Sequence, residues 1–266
     1  MFSFELDFFP RAEERGQEWY EFDGRLQEFL GQLWCNSNIL PDWHVLELGH
    51  RVQARVLAPE VSSLDVVFFS PVALQDLAEV EAMCERGPQF RLVAPAEFGK
   101  SMCGCEEPSC YVLFPALRDH DAISPIDCGH AVPLYRLPFV DDTGEPFKKA
   151  HWTLQAWAET YRALDWLFLH SSTGERFAFK QLSSPWSDLM REGRRIASQL
   201  EEKMCKPVYV FLQQWHPRWG NECPLCGQLW RLEEPWSTRY DFKCERSRLV
   251  CEGSYTDSTP MSELHP

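Results

Sequence analysis

The sequence predicts an α+β fold: strands and amphipathic helices in mixed order, with a small cysteine-anchored module near the C-terminal end. Three observations predict it. Short alternating runs are interspersed with apolar stripes at three-and-four spacing, in no regular β–α–β order. Of 266 residues, 44% are hydrophobic, with 11 Trp and 18 Phe, enough for a substantial core and too many for a disordered chain. Finally, Cys223-Pro224-Leu225-Cys226-Gly227 is a tight turn carrying two thiols, and Cys244 follows after a hairpin-length gap. A chain builds the two halves of a tetrahedral zinc site in this way, so the module is zinc-ribbon-like.

The elements follow in order. Phe2, Phe4, Leu6 and Phe8 alternate, making residues 1–9 a strand. Trp19, Phe22, Leu26, Phe29 and Leu33 form one helical stripe over 17–34. Residues 44–58 alternate through Val45, Val52, Ala54 and Val56 with Gly49 as a bend, which predicts strand, kink, strand. Leu74, Leu77, Ala78 and Val80 predict a helix over 71–86 stopped by Gly87-Pro88, and 89–94 return to strand. Tyr111–Phe114 is a short apolar strand, and Val132–Tyr135 leading to Pro138 predicts an extended edge segment. Leu154, Trp157, Tyr161, Leu164 and Phe168 mark a helix within 147–169. Ser184-Pro185 predicts the cap and first position of another, striped by Leu189, Ile196 and Leu200, with Gly193 permitting close approach of a neighbour. Val208–Phe211 is a buried-type strand. Three regions are expected: an acidic α+β region, 1–98; a central region with a Cys/His cluster and two helices, 99–216; and the zinc-ribbon-like module with its tail, 217–266.

Charge narrows the partners. The formal net charge is −14, and residues 1–100 hold 8 Lys+Arg against 17 Asp+Glu, whereas residues 217–256 hold 6 against 6. A nonspecific nucleic-acid binder carries a basic footprint; an acidic N-terminal third suits a basic protein partner better. No stretch approaches ~18 uninterrupted apolar residues, so no membrane span is expected. The opening residues alternate and carry two acids, unlike a signal peptide. The odd count of 11 cysteines and the CPxCG turn favour reduced thiols and metal in the cytoplasm.

Two groups of residues have metal-ligand spacing. In the ribbon, Cys223, Cys226 and Cys244 are ligands; Ser247 stands where a second CxxC would place the fourth thiol, and Cys251 or His216 could supply it instead. A ribbon held without metal by Trp219, Trp230, Trp236 and Tyr240 is the alternative. Upstream, Cys103-Gly104-Cys105 and Cys128-Gly129-His130 resemble two half-sites joined by a hairpin, with His120 nearby; small residues at tight bends are the alternative reading. Cys110 reads as core, and Cys35, Cys84 and Cys205 lie in or beside helical stripes. There is no HExxH, HxE-plus-PCxxC, GxSxG, P-loop or GxGxxG. No catalytic residue is assigned, and a non-enzyme is expected.

The segments around Cys103–Cys105, Ser124–Gly129 and Val132–Pro138, together with Cys223–Gly227, Trp230, Phe242–Cys244 and Arg248–Val250, resemble a bacterial family of unknown function labelled as zinc-ribbon-containing and as candidate nucleic-acid binders. That family's ribbon ends in CxxC, and its central segment carries a further thiol after the CG; here Ser247 and His130 stand there. The expectation from the whole sequence is a non-enzymatic zinc-binding protein that binds and inhibits or regulates a protein partner, a toxin being one kind, in the manner of an immunity protein or antitoxin. The alternative is a nucleic-acid-binding regulator using the ribbon, with Lys243, Arg246 and Arg248 on one strand and Arg191, Arg194, Arg195, Lys203 and Lys206 on a helix and its end.

Overall fold

Strand β1 (Phe2–Phe8) is central to the first sheet, since Phe4, Leu6 and Phe8 all present apolar rings or branches to one buried side. It pairs antiparallel with β3 (Val52–Ala58), Phe2 opposite Ala58 and Phe8 opposite Val52, and on its other edge with β4 (Gln89–Pro95). Strand β2 (His44–Glu47) completes the order β2-β3-β1-β4. This computed structural model describes residues 1–11, 16–96, 102–115, 122–138, 151–213, 220–237 and 239–253. The chain forms two compact units: residues 1–102 with 132–153, and residues 103–131 with 154–266.

In the first unit, helix α1 (Gln17–Cys35) connects β1 to β2, and α2 (Pro71–Ala82) connects β3 to β4. The resulting β-α-β-β-α-β order with an antiparallel sheet is the split βαβ arrangement. The predicted stripe of α1 is the one buried: Phe22, Leu26, Phe29, Leu30 and Leu33 pack with Leu6, Phe8, Val56, Leu77 and Val80 in one core. Ser70 caps α2 by accepting from the Ala73 amide at 3.1 Å, with Pro71 at the first helical position. Gly49 takes φ +66 in the β2–β3 bend, as its place between two alternating runs predicts. The 132–138 segment is not an extended edge: Leu134–Arg136 is a 3₁₀ turn. Polar anchors override the alternation there, the Tyr135 hydroxyl donating to Glu60 at 2.5 Å and Arg136 pairing with the same carboxylate.

The second unit holds a six-stranded sheet, ordered β6-β5-β7-β10-β9-β8. Its strands are β5 (Tyr111–Leu113), β6 (Ile123–Pro125), β7 (Val208–Phe211), β8 (Arg231–Trp236), β9 (Tyr240–Cys244) and β10 (Leu249–Cys251). Strand β7 is parallel to both β5 and β10, and its four residues are all buried, as its unbroken apolar run requires. The ribbon strands therefore share a sheet with the central strands, and the expected boundary at 216/217 does not separate two structures. The N-terminal region likewise differs from 1–98, because the described residues 132–138 join it.

Helices α3 (Trp152–His170), α4 (Glu175–Ser183) and α5 (Asp188–Met204) complete this unit. Sequence reading missed α4 and started α5 three residues early. Ser184-Pro185 lies in the α4–α5 turn, and Ser187 is the cap, accepting from Met190 N at 3.2 Å. Gly193 does permit a close approach: a Cβ there would lie 2.8 Å from the Trp157 ring. Among the described residues no helix is long and apolar enough to cross a membrane.

Helix α5 ends at Cys205, which takes a left-handed conformation (φ +54) and is exposed. A β-carbon there costs energy that glycine avoids. Cys205→Gly is expected to raise stability by about 0.5–1 kcal/mol, read as a higher urea midpoint at unchanged slope; a lower midpoint would contradict it.

Candidate metal centres

The first centre is built by two bends flanking β5 and β6. The Cys103 amide donates to Ala131 O at 2.7 Å, which closes the Cys103–Cys105 bend onto the Cys128–Ala131 bend. Gly129, at φ +66, turns the second bend. Ser109 pins it from below, its amide and hydroxyl each donating to the Asp127 carboxylate at 2.8 Å. Cys103, Cys105 and Cys128 thereby bring their sulfurs within 4.8 Å of one another. Cys103 and Cys128 Sγ are 3.6 Å apart, and the Cys105 and His130 amides point at sulfurs, each at 3.4 Å.

The second centre is the ribbon. Gly227, at φ +71, closes the CPxCG turn, its amide donating to Cys223 O at 2.8 Å, and the Cys223 amide donates to Gln228 O at 2.8 Å. Strand β9 delivers Cys244 from the opposite side. Cys223, Cys226 and Cys244 again hold their sulfurs within 4.8 Å of one another, with Cys226 and Cys244 3.4 Å apart. Ser247 occupies the remaining corner: its hydroxyl is 3.5 Å from Cys223 Sγ and its amide donates to Cys244 Sγ at 3.3 Å.

Both groups fit a tetrahedral metal. Metal–sulfur bonds of ~2.3 Å put neighbouring sulfurs about 3.8 Å apart, close to the separations here. Amide-to-sulfur hydrogen bonds are the usual support of metal-bound thiolates. The electrostatics agree. Cys105 is pushed up to about 12, first by hydrogen bonding to Cys128 and then to Cys103. Three crowded thiols resist ionising together unless a cation joins them. Cys226 is held down to about 7, first by the Ser247 hydroxyl and next by the Gln228 backbone.

Two predicted ligands stand outside these groups. His130 contributes its backbone to Cys128, while its exposed ring is not among the gathered donors. Cys251 is fully buried on β10, donates to Glu252 O at 3.1 Å, and has its thiol pushed far up by burial. The register explains this: Cys244 faces Leu249, and Cys251 lies two residues further along, opposite Phe242. That step of about 6.6 Å carries it past the centre. His120, His216 and Trp219 lie outside the described residues. Trp230 and Tyr240 are buried, and Trp230 packs on Phe242 with centroids 5.1 Å apart. Cys110, Cys35 and Cys84 are buried elsewhere.

The basic residues mostly face internal partners. Lys243 pairs with Glu245 at 2.7 Å and stacks on Trp236, with Nζ 3.9 Å from the ring centroid. Arg248 makes a two-armed contact to Glu201 and a further one to Glu245. Arg191 pairs with Asp188, Arg195 with Glu192, and Lys206 donates to Pro108 O.

Fold and site together define an α+β protein with two tri-cysteine groups able to hold metal. Residues 105–213 match a domain of unknown function, DUF2310, and residues 218–257 match another, DUF8594. An uncharacterized protein of Haemophilus influenzae is 26% identical over 211 residues, covering 76% of this chain and 77% of its own length. A second from that organism is 29% identical over 104 residues, covering 37% of this chain; the alignment spans about half (51%) of that relative. The solved structure of Rv0793 from Mycobacterium tuberculosis aligns over 37% of this chain and 97% of its own at 17% identity, with a TM-score of 0.28.

Proposed function

We propose that this chain is a zinc-stabilised, non-enzymatic binding protein of the cytoplasm that inhibits or regulates a protein partner, as immunity proteins and antitoxins do. The reading of zinc rests on the donor set: three thiolates converging from a knuckle turn and a facing bend are soft ligands of the kind zinc takes. Eleven unbridged thiols suit a reducing compartment.

The observation that carries the partner reading is the exposure of large aromatics on the second unit. Trp166, Phe177 and Trp186 are 59%, 59% and 54% exposed. Aromatic side chains of this kind dominate binding energy at protein interfaces. The acidic first hundred residues add a field that attracts basic partners. The nucleic-acid alternative is less well supported, because Lys243, Arg248, Arg191 and Arg195, half of the cations it needs, pair with neighbouring carboxylates.

The test is a comparison of two columns and one variant. The purified full chain is expected to flow through single-stranded DNA resin at low salt. On a matrix carrying the full chain, a host protein should be retained stoichiometrically, and Trp166→Ala with Phe177→Ala should lower that retention at least tenfold. Salt-resistant retention on DNA, or identical capture by the variant, would overturn the proposal.

A further inference from the structure

We infer that the ribbon's tri-cysteine group opens onto a binding site for a small organic carboxylate, which ligates the metal in place of Ser247. This rests on the metal reading above and adds a ligand to it. A cavity of about 760 Å³ lies beside the group, with Cys226 and Ser247 in its wall together with Arg194, Arg246 and Val208. Small-molecule sites have that size.

The charge in and around the cavity selects the ligand. Glu201, Glu245 and Arg248 also line it, and the two acids are balanced by Arg248 and by Lys243, which lies outside the wall and pairs with Glu245. Arg194 donates only to the carbonyl oxygens of Met190 and Pro185, at 3.3 and 3.0 Å, and among the described residues neither it nor Arg246 has a carboxylate partner. A dication on three thiolates carries one net negative charge. Against two unneutralised guanidinium groups, the cavity is left one positive charge in excess. A single monoanion neutralises it, whereas inorganic phosphate near pH 7 is a mixture of monoanion and dianion and overshoots in part. A planar carboxylate also fits the guanidinium fork. Its second oxygen is a charged metal donor, which the neutral Ser247 hydroxyl is not. Leu225, Ala197 and Val208 give the apolar remainder of the acid a wall to cover.

The experiment titrates the full chain, loaded with cobalt(II), with butyrate, and with inorganic phosphate as comparator. Butyrate is expected to shift the visible bands saturably and at lower concentration than phosphate. Arg246→Ala should weaken that response at least tenfold. Ser247→Cys, which supplies a fourth thiolate, should keep cobalt and abolish the response. Cobalt bound by these thiols with bands indifferent to butyrate overturns the inference and leaves the metal reading standing. So does a response that survives Ser247→Cys, which would place it at the other centre, or one equally strong with phosphate. Failure of Cys223, Cys226 and Cys244 to take up cobalt at all would bring down the metal reading beneath it.

Discussion

Replacing Cys223 and Cys244 together with serine is expected to remove one equivalent of metal and to unfold the whole second unit, well beyond its last strands. The reason is the sheet order. Cys244 ends β9, which lies between β8 and β10, and β10 lies between β9 and β7. Leu249 faces Cys244 on one side and Val210 on the other. Through this chain of pairings the thiol group braces the middle of a six-stranded sheet. Structural zinc contributes an apparent ~10–16 kcal/mol to small finger modules, against a total stability of ~5–15 kcal/mol for an ordinary domain. A loss of about 4 kcal/mol or more is therefore expected in urea unfolding. Elemental analysis should show the missing equivalent, and hydrogen exchange should find β5 and β7 amides unprotected while β1 amides stay slow. Protection of β7 that survives metal loss would contradict this.

The direction with pH is the same. Metal binding requires thiolates, so acid displaces it by reprotonation, and stability conferred by the metal falls as pH falls. A fair control is Cys205→Ser, at an exposed position. Cys84 is a poor control despite its helical neighbourhood, because it is 2% exposed in the first unit's core and serine would bury a hydroxyl there.

What the sequence disclosed was local. The alternation of Phe2, Phe4, Leu6 and Phe8, the α1 stripe and the CPxCG turn each carry their own period or spacing, so strand, helix and half-site could be read directly. What it concealed was long-range. The parallel pairings of β7 with β5 and β10 bring Val208–Phe211 against residues nearly a hundred positions upstream and about forty downstream, and no local pattern encodes such partners. Hence the ribbon looked like a separate module. The same blindness misplaced Cys251: its distance from Cys244 in sequence permitted ligation, and only the hairpin register excluded it. Arg194 and Arg246 were visible as basic residues, but their convergence on one cavity depends on how α5 meets the β9–β10 turn.

Gly193→Val is expected to destabilise the second unit by about 3 kcal/mol or more, although valine is a better helix former than glycine. A Cβ at 193 would sit 2.8 Å from Trp157 Cζ2 and 3.0 Å from its Nε1. The indole is poorly placed to retreat: Nε1 donates to Leu189 O at 2.9 Å, and the ring packs against Tyr161 with centroids 5.7 Å apart. Moving it breaks a buried hydrogen bond and loosens the α3–α5 contact at once. Gly193→Ala isolates the conflict. Its propensity gain of ~1 kcal/mol opposes an overpacking cost of ~1–3 kcal/mol, and a net loss is expected. Combining it with Trp157→Phe removes the crowding atoms, so the double variant should be more stable than the sum of the two single losses implies, by about 1 kcal/mol. Urea unfolding of the four proteins closes the cycle. Strict additivity would mean that the glycine answers to something other than the indole, and that close packing of these two helices is not what excludes a side chain at 193.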